Sequence, residues 1–381
     1  MIVKKLNIHI FIGLFVGLLL VNQSIRAILY YNFIGVFFII LLGIYSYKFI
    51  LQKQILNIKL NNDDKVIFIV YIALIIYASL TLFETGWNNY IYILELIALF
   101  FLYIIGRTIN IFSYKIIVSI ILMIGFIQAI FLIYNRGYIY DSGVNYLLLS
   151  LTIGLYTCLS LLSYIFSKKK YHKIYFLVLF ILGWISLFSM QSRAVFLVVG
   201  LYSILMPFII LSVKNKLKLI GFIFTVLMIG VFIYQNQIKE IYENTIIHER
   251  MYELFYNFEN EPRFITYGLY FNNFEDFFIT GYGINGTKLG IYTSTIEKYP
   301  HNFILEFISD FGILGFMFSV FFISRSFFIL LVKTKNNFYS LSIFTIYMYY
   351  LINFMKSFSI YDSYVLFFAI GLVFNKKLRF S

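Results

Sequence analysis

Runs of sixteen to twenty-five apolar residues recur from one end of the chain to the other, at 6–21, 27–51, 66–83, 90–105, 116–134, 146–166, 174–190, 194–213, 219–234, 312–332, 338–355 and 359–374. A bilayer core of about 30 Å asks for about 17–25 such residues per helix, and interfacial Tyr and Trp complete the shorter runs. Only helices and closed barrels satisfy every backbone group in lipid, and runs of this length read as helices. Charge is correspondingly scarce: 12% of the 381 residues are charged and 61% are hydrophobic, with a mean hydropathy of +0.88. About a quarter of an ordinary soluble domain is charged, so the composition excludes a soluble globular protein. The expected fold is an all-α integral membrane protein of about twelve transmembrane helices. The abundance of Phe and Tyr carries no functional weight by itself, since an AT-rich coding sequence produces the same bias.

The basic residues orient the chain, because cytoplasmic loops retain Lys and Arg. With the N-terminus inside, twenty of the thirty basic residues fall on inner segments, at positions such as Lys48, Arg107, Lys115, Lys168–Lys170, Lys214 and Lys376. Of the seventeen acids, only Asp63 and Asp64 are inner, and Glu95 lies within a span, as does the basic Arg325. Both termini are therefore expected in the cytoplasm. The first run follows Lys4-Lys5 and imitates a signal peptide, but it offers no small-residue cleavage site and is read as a retained anchor. No basic run is long enough to track a duplex, so no nucleic-acid partner is expected. The lone Cys158 sits in an apolar run, which leaves neither a disulfide framework nor a Cys-based zinc site.

One segment breaks the pattern of short loops. Residues 235–302 form a long external loop between the ninth and tenth spans, dividing the chain into 1–234 (nine spans), the loop, and 303–381 (an interfacial helix and three spans). An amphipathic stretch from Gln235 to about Phe258, a turn at Asn260-Glu261-Pro262-Arg263, a helical stretch over about 264–278 and a glycine-rich turn at 281–290 are expected within it.

Four places could carry chemistry. Gln191-Ser192-Arg193 stands in a hairpin so tight that Arg193 enters the membrane boundary almost without a loop; it either snorkels to the headgroups or binds an anion through its planar fork. Arg263 opens a helical stretch with Tyr267 one turn on, where helix N–H groups and a guanidinium can cradle phosphate; the alternative is a surface ion pair with Glu259 or Glu261. Arg250, between Glu249 and Glu253, reads as a solvated ion-pair member. Gly281-Tyr282-Gly283-Ile284-Asn285-Gly286 matches a dinucleotide fingerprint only by chance, lacking the strand and βαβ unit, and its glycines instead let backbone approach a ligand or a neighbouring helix. In Pro300-His301-Asn302, the proline is expected to start a helix with His301 in its first turn, and Asn302, Glu306 and Asp310 then form one polar stripe. His301 is the group that can take a proton near neutral pH, although a lone histidine is also a common structural residue. No pair of histidines has metal-ligand spacing, so no metal is expected.

Taken in order, Ser192-Arg193-Ala194, Arg263, Gly281-Tyr282-Gly283, His301-Asn302-x-x-Leu305 and Asp310-x-Gly312-x-x-Gly315 resemble the O-antigen polymerase and O-antigen ligase superfamily, that is, Wzy-type polymerases and the lipid A–core ligases. The motifs lie within 190–315, and over 1–189 the resemblance rests on topology. It implies metal-independent, cofactor-free, inverting glycosyl transfer at the outer leaflet of the bacterial cytoplasmic (inner) membrane, from an undecaprenyl-diphosphate-linked saccharide. It also implies that Arg193 and Arg263 bind the diphosphate and that His301 acts at the acceptor. Asp310 stands where the family often has Glu, and Tyr267 where Trp is common; Arg250 has no matching position. A polymerase extends O-antigen or capsular polysaccharide with a second lipid-linked unit as acceptor, alongside a flippase and a chain-length regulator. A ligase transfers to lipid A–core. A lipid-linked oligosaccharide flippase is the reading from another class, and it would call for paired halves and midplane charges that this sequence does not show.

Overall fold

The computed structural model describes residues 2–29, 33–51, 62–134, 146–188, 190, 192–210, 262–286, 300–334, 336–375 and 378. Among these residues the regular structure is helical: α1 (Ile2–Leu20), α2 (Asn22–Leu29), α3 (Ile34–Leu51), α4 (Asn62–Thr85), α5 (Tyr90–Thr108), α6 (Ile111–Tyr134), α7 (Tyr146–Phe166), α8 (Lys170–Phe188), α9 (Arg193–Ile210), α10 (Pro262–Asn272), α11 (Phe274–Phe278), α12 (Phe303–Lys333), α13 (Phe338–Phe354) and α14 (Tyr364–Phe374). Six stretches, in α4, α5, α6, α7, α8 and α12, are long and apolar enough to cross a membrane, and shorter apolar helices lie in α1, α3, α9, α13 and α14. They coincide with the expected runs save 219–234, which lies outside the described residues together with Gln235–Phe258 and Arg250.

Two runs are cut differently from the sequence expectation. The run at 27–51 is divided between α2 and α3, with the Asn22 side chain accepting from the Phe33 amide at 3.2 Å. The run at 359–374 begins with a 3₁₀ turn, Ile360–Asp362, because the Ser359 hydroxyl caps it by accepting from the Tyr361 amide; the helix starts only at Tyr364.

Helices in an apolar solvent gain little from hiding apolar surface, so they associate through close packing and interhelical hydrogen bonds. The pair α5–α14 shows the first. A Cβ on Gly106 would collide with the Phe368 carbonyl, and one on Gly371 with the Tyr103 carbonyl, so the two backbones touch where either side chain would part them. Tyrosines supply the second. Tyr71 donates to the Leu96 carbonyl at 2.6 Å, Tyr349 to Leu151 at 2.9 Å and Tyr347 to Ile323 at 3.0 Å. All three rings are buried or nearly so, and the phenol is an apolar body with one donor that reaches the next helix.

Two ion pairs mark one end of the bundle. Asp64, 3% exposed, accepts from Arg107 in bidentate fashion at 3.1 and 2.9 Å and from the Tyr103 hydroxyl at 2.9 Å. Asp63 takes both arms of Arg325 at 2.9 Å. Arg325, a cation within a span, is thus fixed to α4 from within α12; its partner lies 262 residues away, beyond any local pattern. The opposite end collects the C-termini of α1, α4, α6 and α13 and the N-termini of α5, α7, α9, α12 and α14, through contacts such as Gln128 to the Leu149 carbonyl (3.1 Å) and Asn285 to Asn89 (3.1 Å).

Candidate functional site

The described residues of the four places that could carry chemistry lie at that second end, and the broken start of α12 organises it. Asn302 is the N-cap, with extended backbone and a side-chain oxygen that accepts from the Ile304 and Leu305 amides at 3.0 Å. This corrects the expectation that Pro300 starts the helix: the asparagine satisfies two orphan amides, which a proline cannot do. His301 therefore precedes the helix. It is 7% exposed and sits in the left-handed region at φ 52°. That conformation costs a non-glycine residue about 1–2 kcal/mol and persists only where the surroundings hold it. The Asn302 amide group supplies part of that hold by donating to the Met355 carbonyl at 3.0 Å, at the end of α13.

Nine residues into α12 the helix breaks at Gly312, with φ 60° and ψ −143°. The glycine-rich turn docks there. The Tyr282 amide donates to the Ser309 carbonyl at 2.8 Å, Gly283 to Asp310 at 3.0 Å, and Ile313 donates back to Ile279 at 3.2 Å. Gly281 and Gly312 both have positive φ, and a Cβ on either would strike the opposing backbone. The glycines serve a neighbouring helix, the second of the two roles expected for them. Gly283, at φ 82°, lies against Thr81 of α4. The Ile284 amide donates to the Thr81 hydroxyl at 3.2 Å.

The polar stripe on α12 faces inward and is already engaged. Glu306, 3% exposed, accepts from the Ser359 hydroxyl at 2.6 Å and the Ile360 amide at 2.7 Å. Asp310, 1% exposed, accepts from the Tyr361 hydroxyl at 2.7 Å, and the Asn285 amide is shared between Asp310 and Tyr361 at 3.2 Å to each. Burial first, then the Asp310 charge and hydrogen bond, hold the Tyr361 phenol well above the usual tyrosine range, so it stays a donor. These two carboxylates thus clamp the 3₁₀ turn and the glycine turn onto the segment that carries His301. The clamp at Ser359–Tyr361 was not among the residues the sequence singled out; the polar break Ser357-x-Ser359-x-Tyr361-Asp362-Ser363 between two apolar runs is the signal that could have found it.

Arg193 and Arg263 are described by their backbone alone. Arg193 is the first residue of α9, which runs antiparallel to α13: Met206 packs with Leu341, and the Tyr202 hydroxyl bonds Thr345 at 2.6 Å. Continuing that register brings Ser192 and Arg193 alongside Asn353–Met355, the segment to which Asn302 is tied. Three buried oxygens near this meeting point, Ser192 Oγ, Asn353 Oδ1 and Ser357 Oγ, have no hydrogen-bond partner among the described residues. An orphaned buried group costs about 1–3 kcal/mol, which a substrate hydroxyl can recover. Arg263 is the second residue of α10, as expected, and Tyr267 follows half-buried on the same helix. Tyr270 and Phe277 anchor α10 and α11 on Ile308 of α12. Seven residues separate Arg263 from Tyr270, so its backbone stands about 10 Å along the helix from that anchor.

Comparison with known proteins agrees with the motifs. Residues 176–320 match the family described as O-antigen ligase, a stretch that includes Arg193, Arg250, Arg263, Tyr267, Gly281, Gly283, His301, Asn302 and Asp310. No curated protein matches the chain. Over residues 176–320, from late α8 to the middle of α12, the chain is thus similar to the O-antigen ligase family.

Proposed function

We propose that the protein is a polysaccharide polymerase of the bacterial cytoplasmic membrane, which extends a lipid-linked repeat unit with an undecaprenyl-diphosphate-linked saccharide at the outer leaflet. The observation that carries this reading is the family match over 176–320, a stretch within which both arginines and the histidine lie. The convergence of the α9 start and the His301–Asn302 segment at one end of the bundle supports it.

In this reading Arg193 and Arg263 hold the diphosphate and stabilise the charge it gains as the anomeric C–O bond breaks, the electrostatic contribution that commonly dominates such transfers. The acceptor hydroxyl attacks the opposite face of the anomeric carbon, and its proton passes to the His301 imidazole, a step worth about 10²–10⁴-fold. Buried Asp310 and Glu306 hold the scaffold and are not the base, since their oxygens already accept from Tyr361, Asn285, Ser359 and Ile360. Neither a metal nor a cofactor enters the scheme. Chain length would be set by a partner regulator, and the donor delivered by a flippase.

The family description, O-antigen ligase, favours a second reading in which the acceptor is lipid A–core. Deletion of the gene separates the two: single-repeat lipopolysaccharide follows loss of a polymerase, and unattached saccharide follows loss of a ligase. Arg193→Ala and His301→Ala are each expected to abolish product while the protein still inserts. Wild-type chain length in both variants, or movement of lipid-linked saccharide across liposomes without extension, overturns both readings.

A further inference from the structure

The ion-paired end of the bundle carries charge that the chain itself leaves unanswered. α7 ends there at Phe166, whose ring meets that of Phe338 at the start of α13 at 6.2 Å, and α8 begins at Lys170. The connection and the first turn of α8 read Lys168-Lys169-Lys170-Tyr171-His172-Lys173, and all six residues are exposed. The two acids of this end are already engaged, Asp63 by Arg325 and Asp64 by Arg107. Among the described residues no carboxylate pairs with any of the four lysines, and Lys169 lies over the Tyr171 ring at 5.6 Å. Four like charges within six positions repel one another unless an anion sits among them.

Orienting the chain does not account for all four. Retention on one side asks only for charge near the end of a span, and Lys168 and Lys169 supply it just past α7, where the helix dipole favours cations. Lys170 and Lys173 stand instead in the first turn of α8, the positive end of that helix, where a cation is disfavoured.

The level of the membrane surface can be read beside them. Ile174, Val178, Ile181 and Ile185 form one exposed apolar stripe along α8, the face this helix turns to lipid. Tyr171 and Tyr175, both more than half exposed, close the stripe at the lysine end, as amphipathic rings do at headgroup depth. The lysine stems then keep their ammonium groups among lipid phosphates. A soluble anion would use only the charge, whereas an anionic lipid uses the charge, the aromatic rim and the stripe beneath it.

We propose that Lys168, Lys169, Lys170 and Lys173, with Tyr171 and Tyr175, form a binding site for the phosphate headgroup of an anionic phospholipid, in the leaflet opposite the His301 end. Its acyl chains lie along the Ile174–Val178 side of α8. The site does not depend on the reaction carried out at the other end of the bundle.

The test uses the full chain in phosphatidylcholine vesicles. Tyr171→Trp adds a reporter to the native Trp87 and Trp184, whose signal is measured in the chain without the reporter and subtracted. Lipids brominated in their acyl chains quench the reporter on contact. Brominated phosphatidylglycerol is expected to quench it at lower mole fraction than brominated phosphatidylcholine. That preference is expected to fall about fivefold for each lysine replaced in Lys170→Gln and in Lys170→Gln/Lys173→Gln, and to survive Lys170→Arg/Lys173→Arg. All these variants keep Lys168 and Lys169 to orient the chain. Sodium chloride at about 1 M, where the screening length falls to about 3 Å, is expected to erase the preference with every lysine in place, a reading that needs no lysine variant. Equal quenching by the two lipids, a preference indifferent to lysine replacement or to salt, or displacement by inorganic phosphate beyond that by sodium chloride at equal ionic strength each overturns the proposal.

Discussion

Removing one oxygen atom tests whether the clamp at the start of α12 is energetically real. In Tyr361→Phe the ring still packs, tilted, against Tyr92, whose centroid is 4.6 Å away, so packing is retained and only the hydroxyl is lost. That hydroxyl donates to the Asp310 carboxylate at 2.7 Å and shares the Asn285 amide at 3.2 Å. The first is a hydrogen bond to a charged group, worth about 1.5–3 kcal/mol net. The second is long and divided with Asp310, and adds little. If the clamp holds the glycine turn, the turn's local opening becomes easier by that amount, and its amides exchange with solvent about 10–100-fold faster. Hydrogen exchange followed by mass spectrometry on a peptide spanning 281–286 reads this directly, because Tyr282 and Gly283 owe their protection to the Ser309 and Asp310 carbonyls. A peptide from the α5–α14 contact around Gly106 should not change. Unaltered exchange at 281–286, or equal acceleration in both peptides, would refute the assignment of Asp310 and Tyr361 as the fastening of this turn.

Asn302 separates capping from tethering. Asn302→Asp keeps a cap for Ile304 and Leu305 but has no amide to offer Met355, whereas Asn302→Ala loses both; melting in detergent should fall by about 1 kcal/mol more for alanine, and equal losses would deny the cap its share. At the far end, Asp64→Asn leaves Arg107 without its buried counter-charge and should cost about 3–5 kcal/mol, while the double change with Arg107→Met should recover part of that; additive losses would show that the pair is not coupled. Tyr361 also sets a pH dependence. Its raised pKa means the fold favours the protonated phenol, so its contribution is full below the ordinary tyrosine value of about 10 and is lost as pH climbs past it, the unfolded chain ionising first. The difference in melting temperature between wild type and Tyr361→Phe should be flat near neutrality and narrow above pH ~10; a difference that narrows near pH 7 contradicts it.

Much of the bundle was legible because its information is local. An apolar run long enough to span shows in any window of the sequence, and so do the proline before Arg263 and the i, i+4, i+8 spacing of Asn302, Glu306 and Asp310. The features that were missed depend on partners distant in sequence. Arg325 looked like an isolated cation because nothing near it in the chain is acidic, and its partner Asp63 comes from a different helix. Pro300 looked like a helix start because proline tolerates that position, yet Asn302 two residues on offered a better cap and an anchoring carbonyl on α13. The turn at 359–362 looked like the opening of a span because its apolar residues continue the run. Glu306 takes the Ile360 amide, and Ser359 takes that of Tyr361, which fixes a 3₁₀ turn before the helix begins.

The interruption at Gly312 gives a single rod a joint. Its short upper piece is stitched to the 279–283 backbone, while the long lower piece runs on through apolar surroundings to Lys333. The lower piece is fastened elsewhere, by Arg325 to Asp63 of α4 and by the Tyr347 hydroxyl of α13 to the Ile323 carbonyl, so the two lengths of one helix answer to different neighbours.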